Sequence, residues 1–260
     1  MKPIHFLLPL AMLLSYGCSA KTSGTNSSNH EVRLGDWQSI LVNGSYDLTI
    51  KHKPDSAGYV RIYAPKEIFD KIDFSLHDRT LVISTKKRAK HYGSIKAVAY
   101  TDGNLSSVTL NGSGDILLPA LNISGPLNLI VSGSGDIESK SLKATDINAV
   151  VNGSGDIEIS KAEAAGSISL AVNGSGDIEV KNIKAGTVNA STNGSGDIKV
   201  SGTTTAANLS IYGSGDIDAA RLKTQSLSAV SSGSGGITYG DARRVNIHGK
   251  NVRQSKKIKN

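Results

Sequence analysis

Six aspartates recur at nearly constant intervals along this 260-residue chain: Asp115, Asp136, Asp156, Asp177, Asp197 and Asp216. Each closes a Gly-Ser-Gly-Asp turn and is followed by isoleucine, and Gly236 takes the place of a seventh. Successive intervals are 21, 20, 21, 20, 19 and 20 residues. In stacked coils such carboxylates would lie ~4.8 Å apart and repel by ~1 kcal/mol per pair even in water. Three arrangements could offset that. Backbone N–H groups of the turn could bond to the carboxylates, as in Asx turns. Lysines such as Lys161, Lys181 and Lys199 could lie alongside. Calcium could bridge them, as in glycine-rich β-rolls. The six aspartates are therefore candidate calcium ligands, and no other cofactor is expected. Against calcium, the period is 20 rather than nine, no residue separates Gly from Asp, and Gly236 breaks the series.

Other chemistry has little footing. The six histidines (His5, His30, His52, His77, His91, His248) all lie outside the Gly-Ser-Gly-Asp repeats. Gly-Ser-Gly is not the Gly-x-Ser-x-Gly of a nucleophile elbow, and equivalent turns repeated along a chain point to structure. Polysaccharide-cleaving β-helices use paired carboxylates in a groove built by long insertions. Here the repeats vary by one residue either way, so an enzyme is not expected.

The elements that must position the aspartates follow from the side-chain pattern. Before each turn, apolar and polar residues alternate: Ile168, Leu170 and Val172, with Ser167, Ser169 and Ala171 between. The same columns hold Ile147, Ala149 and Val151, and Leu127, Leu129 and Val131. Period two marks a half-buried strand. After the turn comes a short alternating piece, such as Ile157-Glu158-Ile159 or Ile178-Glu179-Val180. A looser corner follows, with Leu121, Leu142, Ile183 and Leu222 in matching places and the length variation at or just after it. One repeat thus reads as strand, tight turn, strand, corner. The turn glycines are Gly112 and Gly114, Gly133 and Gly135, Gly153 and Gly155, Gly174 and Gly176, Gly194 and Gly196, Gly213 and Gly215, and Gly233 and Gly235. They are expected to supply positive φ. The residues before them, Asn111, Asn152, Asn173 and Asn193 among them, can form hydrogen-bonded ladders. Twenty-eight glycines against 5% aromatic residues suit thin coils better than one thick core.

Upstream, residues 37–50 hold a degenerate copy of the repeat. Val60–Tyr63, Phe74–Leu76, Leu81–Ile83 and Ile95–Tyr100 read as further strands, with a short helix or bent loop over residues 65–72. An open solenoid end exposes strand edges, so this segment is expected to cap the first rung.

Residues 1–20 read as an export signal: Lys2, then an apolar stretch Phe6–Leu14, too short to span a bilayer. Cys18, the only cysteine, follows in a lipobox-like context and is the candidate lipidation site; cleavage after Ala20 is the plainer alternative. No disulfide can form within the chain. Residues 21–34, rich in Ser, Thr, Asn and Gly, are expected to be a flexible tether, 35–240 the solenoid, and 241–260 a last-rung cap and basic tail.

Charge is uneven. The chain carries +7 overall; residues 101–240 carry −5 and residues 241–260 carry +6. Arg243, Arg244, Lys250, Arg253, Lys256, Lys257 and Lys259 could meet anionic lipid or nucleic acid, but export and the lack of interleaved aromatics argue against nucleic acid. The plainer reading is a solvated, frayed terminus that blunts the last edge.

The Trp37–Ile50 pattern, the Ile68–Ile83 segment and the Gly-Ser-Gly-Asp-Ile turns resemble the bacterial "putative auto-transporter adhesin, head GIN domain" family over about residues 35–240. The resemblance implies a right-handed parallel β-helix, exported and often lipid-anchored, with adhesion as the role its name conveys and no catalytic residues. The expected fold is all-β, a solenoid of roughly 20-residue rungs with an irregular β N-terminal cap. The expected function is a non-catalytic cell-envelope module, in the outer membrane through a lipid anchor or else periplasmic or secreted. It would bind a glycan, an envelope protein or a second copy of itself. The alternatives are a structural or signalling spacer and, behind it, a polysaccharide-active β-helix.

Overall fold

The computed structural model describes residues 29–86 and 95–255. Cys18, the signal segment and Lys256, Lys257 and Lys259 lie outside the described residues. The N-terminal part holds β1 (Asn29–Arg33), β2 (Ser39–Asn43), β3 (Tyr46–His52) and β4 (Tyr59–Tyr63), one helical turn α1 (Lys66–Phe69), then β5 (Ile72–His77), β6 (Thr80–Thr85) and β7 (Ile95–Thr101). Coils follow. β8 (Ser107–Leu110), β9 (Ile116–Leu118) and β10 (Leu121–Asn122) make one; β11 (Leu127–Val131), β12 (Ile137–Ser139) and β13 (Leu142–Ala144) the next; β14 (Ile147–Val151), β15 (Ile157–Ile159) and β16 (Ala162–Ala164) a third. After β17 (Ser167–Val172) the corners stay extended, so β18 (Ile178–Thr192), β19 (Ile198–Ile211) and β20 (Ile217–Ser231) run unbroken between turns. β21 (Ile237–Tyr239), β22 (Ala242–Gly249) and β23 (Val252–Gln254) complete the described chain.

The strands stack in register into three parallel faces of a β-solenoid. The first runs β6–β2–β8–β11–β14–β17–β18–β19–β20–β22. The second runs β7–β3–β9–β12–β15, then through β18, β19 and β20 to β21 and β23. The third runs β10–β13–β16 into β18, β19 and β20. The expected looser corner is thus a third short strand. Leu142 and Ala144 alternate with exposed Lys143 there, too few residues for period two to stand out.

Alternation decides which side chains enter the core. The isoleucine after each aspartate (Ile116, Ile137, Ile157, Ile178, Ile198, Ile217) is buried in a single column that Ile237, after Gly236, continues. On the first face Leu127, Leu129 and Val131 point in, with Ile147, Ala149 and Val151 above them. Truncating any one of these isoleucines or leucines to alanine removes about 2–5 kcal/mol. Length variation sits at the corners, as expected. Between β18 and β19 the register shifts after Val180, and Asn182 takes φ 50° while its Nδ2 donates to the Ser160 carbonyl oxygen at 2.9 Å.

The N-terminal end is more than a degenerate copy. β2 and β3 form a rung directly against β8 and β9, but the next segment returns beneath it: β6 and β7 pair with the outer edges of β2 and β3. Antiparallel β5 then covers β6, and β4 with β1 covers β7. The tether expected over 21–34 is therefore strand from Asn29 to Arg33. The tail expected to fray is an ordered rung as far as Gln254.

The turn glycines have a different reason from the one expected. Positive φ among glycines is found at Gly35, Gly44, Gly58, Gly103, Gly202 and Gly249, and at no glycine of the seven Gly-Ser-Gly turns. Those turns stack backbone on backbone. The N–H groups of Ser154 and Gly155 both donate to the Gly133 carbonyl oxygen, at 2.9 and 3.2 Å. A Cβ on Gly155 would lie 2.1 Å from the Gly135 carbonyl oxygen, and one on Gly153 would lie 2.0 Å from that of Gly133. No side chain fits between coils at such separations.

Gly155→Ala is expected to destabilise the domain by about 3 kcal/mol, lowering Tm by about 6–12 °C. Gly125→Ala, where a Cβ would meet nothing within 4 Å, is expected to leave Tm unchanged or slightly raised. Equal melting temperatures in a calorimetric comparison would remove the stacked-backbone explanation.

Candidate functional site

The aspartates are brought into one column, and their charge is met by the backbone of the following rung. The Oδ1 atom of each accepts the N–H of its successor: Asp136 N–H to Asp115 at 3.1 Å, Asp156 to Asp136 at 2.8 Å, Asp177 to Asp156 at 2.7 Å. Asp197 to Asp177 and Asp216 to Asp197 are 2.7 Å each, and Gly236 donates to Asp216 at 2.7 Å. The ladder begins one rung earlier than the repeat count indicates, with Asp115 N–H on Asp47 at 3.3 Å. Asn43-Gly44-Ser45-Tyr46-Asp47 carried that signal, blurred by Tyr46 in place of the second glycine.

This is the first of the three expected arrangements, with the donor supplied by the next coil rather than the local turn. The lysine arrangement is absent. Lys161 pairs with Glu163 at 2.9 Å, and Lys181 and Lys199 both pair with Glu179 at 2.8 and 3.4 Å. Among the described residues no three His, Cys, Asp or Glu side chains gather into a metal-binding group. The ladder places one carboxylate per rung, each with one oxygen already engaged.

Parallel ladders flank it. Nδ2 of Asn173 donates to Oδ1 of Asn152 and that of Asn193 to Asn173, both at 2.9 Å, and Asn111 donates to Asn43 at 3.0 Å. The side chains of Thr192 and Ser231 hold the turns from within by donating to the carbonyl oxygens of Gly196 and Gly235. Tyr212, in the asparagine column, is 60% exposed.

The first face presents two further outward columns. One is polar: Ser107, Asn128, Asn148, Ser169, Asn189, Asn208 and Ser228. Its Nδ2 groups bond along the stack, as from Asn208 to Asn189 at 2.9 Å. The other runs beside it through Thr109, Ile130, Val150, Ala171, Ser191, Ser210 and Val230, all half-buried. Reading the repeats as apolar-in, polar-out missed Ile130 and Val150, which stand at polar positions of the alternation. A flat face with a hydrogen-bonding column beside an apolar one can meet a repeating or extended surface. A shallow cleft of about 270 Å³ lies at its last rungs, lined by Asn208, Ser228 and Asn246. An open cleft of about 740 Å³ lies elsewhere, at the last rungs, with Asp216, Asp218, Lys250 and Arg253 on its walls.

Burial raises the Asp136 carboxyl above its ordinary range; the Asp156 amide opposes this and the Asp156 and Asp115 charges add to it. Asp146, off the ladder, is lowered by the Ser167 N–H and hydroxyl. A raised carboxyl reduces stability as pH rises from its unfolded pKa through its folded one, and a lowered one stops contributing as pH falls through its folded value. Side-chain carboxyl NMR titration is expected to put the Asp136 midpoint above that of a free aspartate and the Asp146 midpoint below it. The reverse order would contradict the buried ladder.

Comparison with known proteins agrees with this architecture. A "putative adhesin" from Bacteroides fragilis NCTC 9343 superposes with a TM-score of 0.63 at 21% identity, over 87% of this chain and 96% of that one. A "putative lipid binding protein" from Parabacteroides distasonis ATCC 8503 gives 0.70 at 23% identity, over 88% and 96%. A "putative adhesin" from Parabacteroides merdae ATCC 43184 gives 0.66 at 19%, over 90% and 98%. At these identities the likeness shows the fold. No match is found among curated proteins. One family model matches residues 36–164 and 158–251, from the β2 rung to the last, and the chain belongs to that family, described as "Putative auto-transporter adhesin, head GIN domain".

Proposed function

We propose that the chain is a non-catalytic, cell-surface interaction module whose first face binds a glycan or a protein. The observation that carries this reading is the flat, unbroken face in which an Asn/Ser column lies beside Ile130, Val150, Ala171 and Val230. The columns repeat at the rung spacing of ~4.8 Å, so a partner with its own repeat, such as a polysaccharide, meets equivalent groups along its length. Family membership supports an adhesin-like role. The export signal and Cys18 support placement in the envelope through a lipid anchor. The ladder aspartates act as structure in this reading rather than as calcium ligands.

A defined polysaccharide array tests it. Ile130→Ser combined with Val150→Ser is expected to weaken binding at least about tenfold while Tm falls by only a few degrees, because both side chains are half-buried and face outward. Binding unaffected by the double variant would move the site off this face, and no binding by the parent chain would favour a spacer. Thermal unfolding in calcium and then in EDTA is expected to give the same Tm. A calcium-dependent rise of several degrees would turn the ladder into a metal site.

A further inference from the structure

We propose that the last rung is a docking surface for an anionic lipid bilayer. Every residue from Arg244 to Gly249 in β22 is exposed, and β22 and β23 each pair on one side only among the described residues. Val245 and Ile247 continue the core columns of Leu227 and Ala229, yet they are 43% and 39% exposed where those are 4% and 0%. The opposite end of the solenoid is covered by β1, β4 and β5. Among the described residues, the last rung therefore presents apolar side chains and unpaired strand edges together.

The same rung is cationic. Residues 242–255 contain Arg243, Arg244, Lys250 and Arg253 and no acidic residue. In the solenoid body, by contrast, Lys161 pairs with Glu163, and Lys181 and Lys199 with Glu179. Arg253 Nε donates to the Thr238 hydroxyl, and among the described residues Arg243, Arg244 and Lys250 form no ion pair. Unpaired cations around two exposed aliphatic side chains are the composition of a surface that rests at a headgroup layer. Phosphates there meet the cations, Val245 and Ile247 enter the acyl boundary, and headgroup donors and acceptors meet the strand edges. A second copy placed end to end would set these cations against one another, and a nucleic acid would find no aromatic platform on β22 or β23. The acidic body, −5 over residues 101–240, is repelled by the same bilayer, so the solenoid would stand on its end. This inference does not depend on what occupies the first face.

Residues 21–260, which include every strand described and exclude Cys18, are mixed with vesicles of phosphatidylglycerol and phosphatidylcholine (3:7) or of phosphatidylcholine alone, and sedimented. Binding is expected to the anionic vesicles only. The combined variant Arg243→Gln, Arg244→Gln, Lys250→Gln is expected to bind about 100-fold more weakly. Arg244→Gln alone, about fivefold weaker, keeps the test open if the triple variant does not fold. Lys161→Gln with Lys199→Gln is expected to bind as the parent does. Equal binding to both vesicle types, or undiminished binding by the Arg and Lys variants, would overturn the proposal. So would a dimer abolished by Val245→Ser with Ile247→Ser, which would assign the end to a second copy, or tighter retention by duplex DNA than by vesicles.

Discussion

The carbonyl oxygen of one turn glycine lies about where the Cβ of the next rung's glycine would be, 1.8–2.1 Å away along the Gly-Ser-Gly turns from Gly133 to Gly235. The pitch of the solenoid at this corner is set by backbone touching backbone. With the turns held together, Ser and Gly N–H groups reach the same carbonyl oxygen below, and the following aspartate N–H reaches the carboxylate below. Strand register on the second face follows, because each isoleucine is one residue from its aspartate. A bulkier turn would separate the coils there, lose the ladder and open the isoleucine column to water.

The aspartate column shows how the backbone can absorb a charge series that looks unfavourable in isolation. Each carboxylate gains a charge-assisted hydrogen bond of about 1.5–3 kcal/mol from an amide, against ~1 kcal/mol of repulsion from each neighbour. The balance is narrow for the most buried members, and the raised Asp136 carboxyl reflects that. Asp47 starts the series and Gly236 ends it by donating without offering an acceptor. Glu179, on the same face, is compensated separately by Lys181 and Lys199.

Periodicity in the sequence revealed the coil length, the buried columns, the asparagine ladders and the aspartate positions, since each repeats at one place in every rung. What escaped was set between rungs. The backbone contact of Gly155 with Gly135 joins residues 20 apart, and nothing local distinguishes it from a need for positive φ. The third-face strands are too short for alternation to show. The placement of β6 and β7 beneath β2 and β3 depends on which edges remain to be paired, and that is decided across tens of residues. Ile130 and Val150 were overlooked because a half-buried outward position tolerates an aliphatic residue as readily as a polar one. The strand at Asn29–Arg33 has a polar sequence, and its order comes from pairing with β4.

The in-register stacking of like turns has a consequence for how such chains change length. Every junction between neighbouring coils in the middle of the solenoid uses the same three elements: a glycine backbone contact, an aspartate-to-amide bond and an isoleucine on an isoleucine. Any middle coil can therefore follow any other. Unequal crossing-over between near-identical repeats would add or remove one 20-residue unit and shift the far end by about 4.8 Å, leaving each surviving junction intact. The N-terminal end is closed to such exchange, because β2 sits between β6 and β8, strands from distant parts of the chain. Variation in reach is thus channelled into the number of central coils, while the two ends keep their identities.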